Sequence, residues 1–388
     1  MKKLLILFIL TICMALSFGA FGCNFGGDVN LGGGNNNQDG GLGDDNEDNS
    51  NDDNTDDDNN NDNTGDDNTG DDNTGDDNTD LDIVTYGGVV YELSSNNYVV
   101  SSVALEAGQT EVVIEGEIQG KKVTKIKDEA FYNKTAITKV ILPESVTEIG
   151  ASAFRRCKGM LEINLDKVKT IGASAFSDCS VLANVNLASA TSIGTKAFEN
   201  NAKLKKVENF IAETVPVSCF SSCAILKEVQ LGETVKKLDE SAFSGCKLLS
   251  IIDVSKIERF ESKCFNACAS LKSAQMNSAY LIRQNAFMLC TTLESVLIGD
   301  NCILFYKGSF YKCDKLKYID IPNTTGWKSM GVSATDGKTE WGPNEINHEK
   351  FGDPVLAVSY IIPATEDWDH GSYYCKKEFL DLRKQGLV

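Results

Sequence analysis

The chain has 388 residues, 41% of them hydrophobic, with 13 cysteines and a net charge of −19. That length permits one large or two moderate domains with a buried core. The absence of net basic charge argues against nucleic acid as a partner.

The first stretch, residues 1–22, carries Lys2 and Lys3, an apolar run and then small residues before Cys23, the layout of a secretory signal. A leader that stops at cysteine resembles those of bacterial lipoproteins, which implies that Cys23 becomes the acylated first residue. Gly22 fits that pattern, whereas Ala20 stands where such leaders more often have leucine. The competing reading is an ordinary secretory leader in which Cys23 is incidental. Several acyl chains bury enough methylenes, at about 0.8 kcal/mol each, to hold a protein at a membrane. Cys13 lies inside the apolar run and is discarded with it.

Residues 23–81 are Asp, Asn, Gly and Thr with almost no aliphatic or aromatic side chains. Such a segment cannot bury enough apolar area to offset the entropy of ordering, so a disordered linker is expected. Residues 31–80 hold 17 Asp, Glu47 and no Lys or Arg, a charge of −18, so the low isoelectric point belongs to this linker. Self-repulsion stretches it beyond roughly 45 Å r.m.s., toward a limit on the order of 200 Å. Calcium binding by the Asp and Asn oxygens is the rival reading. These pentads lack the fixed turn and bidentate carboxylate of a calcium loop.

Residues 82–122 contain two alternating apolar runs around Ser94–Asn97, the pattern of a β-hairpin, and are expected to form an N-terminal β cap. Beyond them the sequence becomes periodic. Phe131, Phe154, Phe176, Phe198, Phe220, Phe243, Phe265, Phe287 and Phe310 recur every 22 or 23 residues. A small residue precedes each, an apolar residue stands five before, and an Ile, Met or Leu stands six after. A unit this short cannot cover its own apolar face and must stack on its neighbours, which is the physics of a solenoid.

"VILPESVTEIGASAFRRC" (140–157) resembles the BspA-like, or Treponema-type, leucine-rich repeat almost letter for letter, and about 200 residues follow the pattern. The resemblance implies an α/β-type leucine-rich repeat solenoid over residues 123–325, about nine repeats, mostly short parallel strands and turns. It also implies a surface protein that is not an enzyme and that adheres to protein or glycan ligands on host or neighbouring cells. Departures are local: the motif's proline survives only as Pro143 and Pro322, its glycine as Gly150, Gly172 and Gly194, and its cysteine is Lys134 and Asn201 in two units.

Cys157, Cys179, Cys223, Cys246, Cys268, Cys290 and Cys313 all stand three after the Phe, Cys219 and Cys264 replace the small residue before it, and Cys302 replaces a core valine. At the recurring turn a thiol acts as a small hydrophobe with a weak donor, and Asn201 does the same with stronger hydrogen bonds. Stacked rungs about 4.8 Å apart fall inside the Cα range of a disulfide. Parallel side chains miss the required sulfur dihedral, so free thiols are expected. The "CFSSC" and "CFNAC" pairs look like zinc ligands, but their spacing only repeats the columns and no histidine is near. No metal or cofactor is expected.

Only His348 and His370 exist. Asp369, His370 and Cys375 can be drawn as orienter, base and nucleophile, although sequence proximity is poor support for that geometry, and a place in the closing cap expected over residues 326–388 is favoured. What remains is a surface. With the motif's leucines and valines inward, one outward column is Lys139, Glu162, Asn184, Lys206, Glu228, Ile251, Ser273, Ser295 and Tyr318. The other is Ile141, Asn164, Asn186, Glu208, Gln230, Asp253, Gln275, Leu297 and Asp320. The charged and amide members, with Tyr318, form the candidate partner-binding concave face. A solubilising face on a plain structural spacer is the bland alternative.

Overall fold

The computed structural model describes residues 83–325 and the strands Trp327–Met330, Asn344–Glu345 and Tyr373–Lys376. The leader, Cys23, the acidic linker, Asp369 and His370 lie outside the described residues. Each rung contributes a strand to a first sheet, a strand to a second that is two or three residues long in all but the first rung, and a turn segment around the Phe on the third side.

The first sheet is built from ten strands: Glu111–Val113, Lys139–Ile141, Glu162–Ile163, Asn184–Asn186, Lys206–Phe210, Glu228–Leu231, Ile251–Ile252, Ser273–Met276, Ser295–Ile298 and Tyr318–Asp320. All pairings within it are parallel. Thus one rung precedes the first phenylalanine. Valine or alanine fills its inward position in most rungs, as Val140, Val185, Val207, Val229, Ala274 and Val296, all essentially buried.

The second sheet runs from Lys121–Ile126 through Glu148–Ile149 and Thr170–Ile171 to Ser192–Ile193, then resumes at Thr214–Val215. Pro216 explains the interruption. In other rungs the residue after the short strand donates its amide to the rung before, as Gly172 does to Ile149 at 2.8 Å and Asp239 to Val215 at 2.9 Å. Proline has no such hydrogen.

On the third side the Phe amide bonds the carbonyl of the residue before the next Phe, from Phe131 to Ala153 at 2.8 Å through Phe287 to Ser309 at 2.8 Å. Save for Gly308, the residues two before and two after each Phe take left-handed backbone, including Ser152, Arg156, Lys263, Ala267 and Leu289. The nine phenylalanines are fully buried. They stack at 4.7 to 5.6 Å between centroids, within 23° of parallel. Each buried ring contributes on the order of 2 to 3 kcal/mol.

Two local departures from regularity have causes in single residues. Asn209 takes the slot that Leu187 fills one rung earlier. A bulge with Asn209 at φ 53° shifts register so that Phe210 fills it instead, 6.0 Å from Phe220. Gly172 stands where a Cβ would come 2.5 Å from the backbone of Gly150 and Ala151, so the corner closes only without a side chain.

At the start, the hairpin Val89–Ser94 and Asn97–Val103 turns at Ser95, and its second strand pairs in parallel with Lys121–Ile126. Tyr91 and Tyr98 are buried beneath it. The Tyr91 hydroxyl accepts the Glu115 amide at 3.0 Å, and that of Tyr98 donates to Gln119 at 3.1 Å. At the other end, Leu304–Tyr306 pairs antiparallel with Tyr373–Lys376, and Trp327 packs edge-on to Phe305 at 5.3 Å.

Candidate interaction face

The first sheet brings the outward columns into register. Lys139 pairs across from Glu162; Asn184, Lys206, Glu228 and Ile251 follow one another; Ser273, Ser295 and Tyr318 complete the first column. In the second, Asn186 faces Glu208, and Gln275, Leu297 and Asp320 align. All these side chains are exposed or half-buried.

Charge along the columns is partly neutralised within the face. Lys206 reaches Glu208 at 2.8 Å and Glu228 at 3.4 Å, and Gln230 donates to Glu228 at 3.0 Å. The hydrogen bond that Lys206 donates to Glu208, with the charges of both glutamates, raises the Lys206 pKa. Lys139 meets Glu162 at 3.4 Å. Exposed pairs of this kind contribute little to stability, so their alignment is a property of the surface rather than of the fold.

Three predicted members are occupied by their own chain. The Asn164 amide takes the place of a backbone strand partner, accepting from the Leu142 amide at 2.8 Å and donating to its carbonyl at 2.9 Å. Asp253 accepts the Ser255 amide at 2.8 Å, a bond that holds its carboxyl below the usual range. Asn186 accepts from Asn209 at 3.0 Å and donates to Asp166 at 3.2 Å.

Asn164 and Asp253 mark the two places where the ladder lapses. No strand pairing joins Glu162–Ile163 to Asn184–Asn186, nor Ile251–Ile252 to Ser273–Met276. In the rungs that pair, a carbonyl such as that of Lys205 or Lys227 receives amides from the next rung; at the lapses, among the described residues, Leu161 and Ser250 receive none. The inward residue differs at these two rungs as well. Ile163 and Ile252 carry one methylene more than the surrounding valines and are only half-buried. In the last rung Ile319 takes the same inward position fully buried with its strand paired, so the extra carbon coincides with a lapse only inside the stack, where both neighbouring rungs are packed.

A depression opens over each lapse. One, of about 600 Å³, has Ile251 at its floor with Glu228, Gln230, Ser250, Asp253 and Gln275 around it. The other lies among Lys139, Ile141, Leu161, Glu162, Asn164 and Asn184. Ile251 is 53% exposed and Leu161 52%. In the outward column Ile251 reads only as an interruption. The signal that it floors a depression is the isoleucine beside it at position 252, read against valine in neighbouring rungs.

The cysteines lie elsewhere. Cys157, Cys179, Cys223, Cys246, Cys268, Cys290 and Cys313 are buried free thiols that donate to the Phe carbonyl of the preceding rung at 3.0 to 3.2 Å. Buried Asn201 uses its amide on both the Phe176 and Phe198 carbonyls, at 3.0 and 2.8 Å. Burial pushes the Cys157 and Cys223 thiols up to about 12, far from the thiolate form that reacts or ligates. Cys219 and Cys264 are fully buried. No cluster of metal-ligating side chains occurs among the described residues. Of Asp369, His370 and Cys375, only Cys375 falls in a described strand, its backbone opposite Leu304.

The sequence profile of the BspA type leucine rich repeat region matches residues 114–211 and 213–331, in six copies. The chain belongs to the BspA type leucine-rich repeat family. Its repeats form a solenoid scaffold of the kind used to present a surface to protein partners. No curated protein matches the chain. Solved structures similar to it include a leucine rich repeat protein of Treponema pallidum, 28% identical, covering 48% of this chain and 90% of that one with a TM-score of 0.43. A leucine rich cell surface protein of Faecalibacterium prausnitzii is 20% identical, covering 63% and 95% with a TM-score of 0.40.

Proposed function

We propose that this BspA type protein is a non-catalytic adhesin: exported, held at a bacterial membrane by acylated Cys23, and lifted from it by the acidic linker so that the first sheet meets a protein or glycan on another surface. The observation that carries this reading is the register of the outward columns. Ten strands in three parallel ladders present accessible amide, carboxylate and lysine groups, with an apolar-floored depression at each of the two lapses. Such a broad face suits recognition by many weak contacts around a few anchors.

The test is a binding screen of the full chain against matrix proteins, glycans and surface extracts, repeated with Glu208→Lys and Glu228→Lys. Asp253 and Asn164 are poor choices for substitution because Asp253 caps the turn at Ser255 and Asn164 holds the Leu142 backbone of the preceding rung. A ligand lost on reversal and retained by Lys237→Glu, on the second sheet, supports the reading. A blank screen leaves a structural spacer. Anchoring is tested separately: Cys23→Ala should release the protein from the membrane fraction, and its retention there would reject the lipid anchor.

A further inference from the structure

The depression over Ile251 combines three features that no other part of the first sheet brings together. Its floor is an exposed aliphatic side chain. Its lining includes two carboxylates, Glu228 and Asp253, the amides Gln230 and Gln275, and no lysine or arginine. At one side the ladder lapses, so the Ser250 carbonyl receives no amide from the following rung among the described residues, whereas the equivalent Lys227 carbonyl takes both Ser250 and Ile251 at 3.1 Å.

Resting on the interaction reading above, we infer that this depression docks a short extended peptide segment of the partner in which an aliphatic residue is flanked by lysine or arginine. The aliphatic side chain covers Ile251 and removes it from water. The cations meet Glu228, which shares Lys206 with Glu208, and Asp253, on which Lys256 acts as the least of several influences. A backbone amide of the segment supplies the donor that the Ser250 carbonyl lacks, a short form of strand addition at a sheet edge. Charge complementarity sets the choice of partner, and the apolar contact anchors it. The second depression differs in having Lys139 in its wall, which disfavours the same segment there.

Fluorescence polarisation with the full chain and a labelled peptide Thr-Lys-Ile-Lys-Thr, blocked at both ends, reads this directly. Thr-Glu-Ile-Glu-Thr and Thr-Lys-Ala-Lys-Thr serve as comparison probes. The lysine-isoleucine peptide is expected to bind at least about tenfold more tightly than the glutamate peptide, with the advantage shrinking as salt rises. Glu228→Gln with Asp253→Asn keeps the hydrogen-bonding oxygens, including the Ser255 cap, and should remove most of that preference. Ile251→Ser should remove the preference for isoleucine over alanine. Equal binding of lysine and glutamate peptides, or a preference untouched by these variants, overturns the inference. A protein ligand lost on Glu208→Lys but retained by Ile251→Ser leaves the face as the interaction surface and rejects only this docking site.

Discussion

Individual side chains divide into those that hold a rung and those that face out of it. Phe198 is fully buried between Phe176 and Phe220, so Phe198→Ala should cost about 3 to 5 kcal/mol, read as a lowered denaturant midpoint. Gly172→Ala places a Cβ against backbone that has nowhere to go and should cost about 1 to 3 kcal/mol; an unchanged midpoint would show that the corner is looser than described. The thiols give a pH signature. Burial raises Cys157 and Cys223 from 9.0 to about 12, so the folded chain holds these protons more tightly than the unfolded one. Their contribution is complete below pH 9 and is lost as pH climbs toward 12, each thiol adding a slope of about 1.4 kcal/mol per pH unit. Urea midpoints should therefore be flat near neutrality and fall above pH 9, and a Cys157→Ser, Cys223→Ser chain should fall less steeply. An identical slope would contradict the assignment.

Strands and turns carry the departures from regularity, and each traces to one residue type. Pro216 removes a ladder donor and the second sheet divides there. Pro216→Ala restores an amide worth about 1 kcal/mol, offset by a similar gain in unfolded-chain entropy. Stability should therefore barely move, while hydrogen exchange shows a newly protected amide at position 216. Ile163 and Ile252 stand half-buried where neighbouring rungs have valine, while Ile319 at the end of the stack is fully buried. Ile252→Val should let its strand settle against the next rung, giving slower exchange at the Lys272 and Ser273 amides; unchanged exchange would mean the lapse has another cause. The repeat itself was plain in the sequence, because a phenylalanine every 22 or 23 residues with its small and apolar companions leaves stacking as the physical outcome. The lapses were not. Isoleucine for valine is a mild change along the chain and becomes consequential only at the depth of a particular slot. The Phe210 bulge is legible only once Asn209 is seen to stand in a leucine column.

For the molecule as a whole, each rung touches chiefly its neighbours, so stability sums along the stack and the outward residues are free to serve recognition. The columns of the candidate face could be written from the sequence because side chains alternate along a strand. Which members also bond their own backbone could not, since Asn164 and Asp253 fold back onto Leu142 and Ser255 through local backbone geometry that alternation does not reveal. The central claim is that partners meet the first sheet. Carboxylate footprinting of the full chain with and without a ligand from the screen tests it most directly. Protection concentrated at Glu162, Glu208 and Glu228, with Glu148 of the second sheet and Asp239 and Glu258 beside its strands unchanged, is the predicted result. Protection of the second-sheet carboxylates with the first sheet left reactive would contradict it.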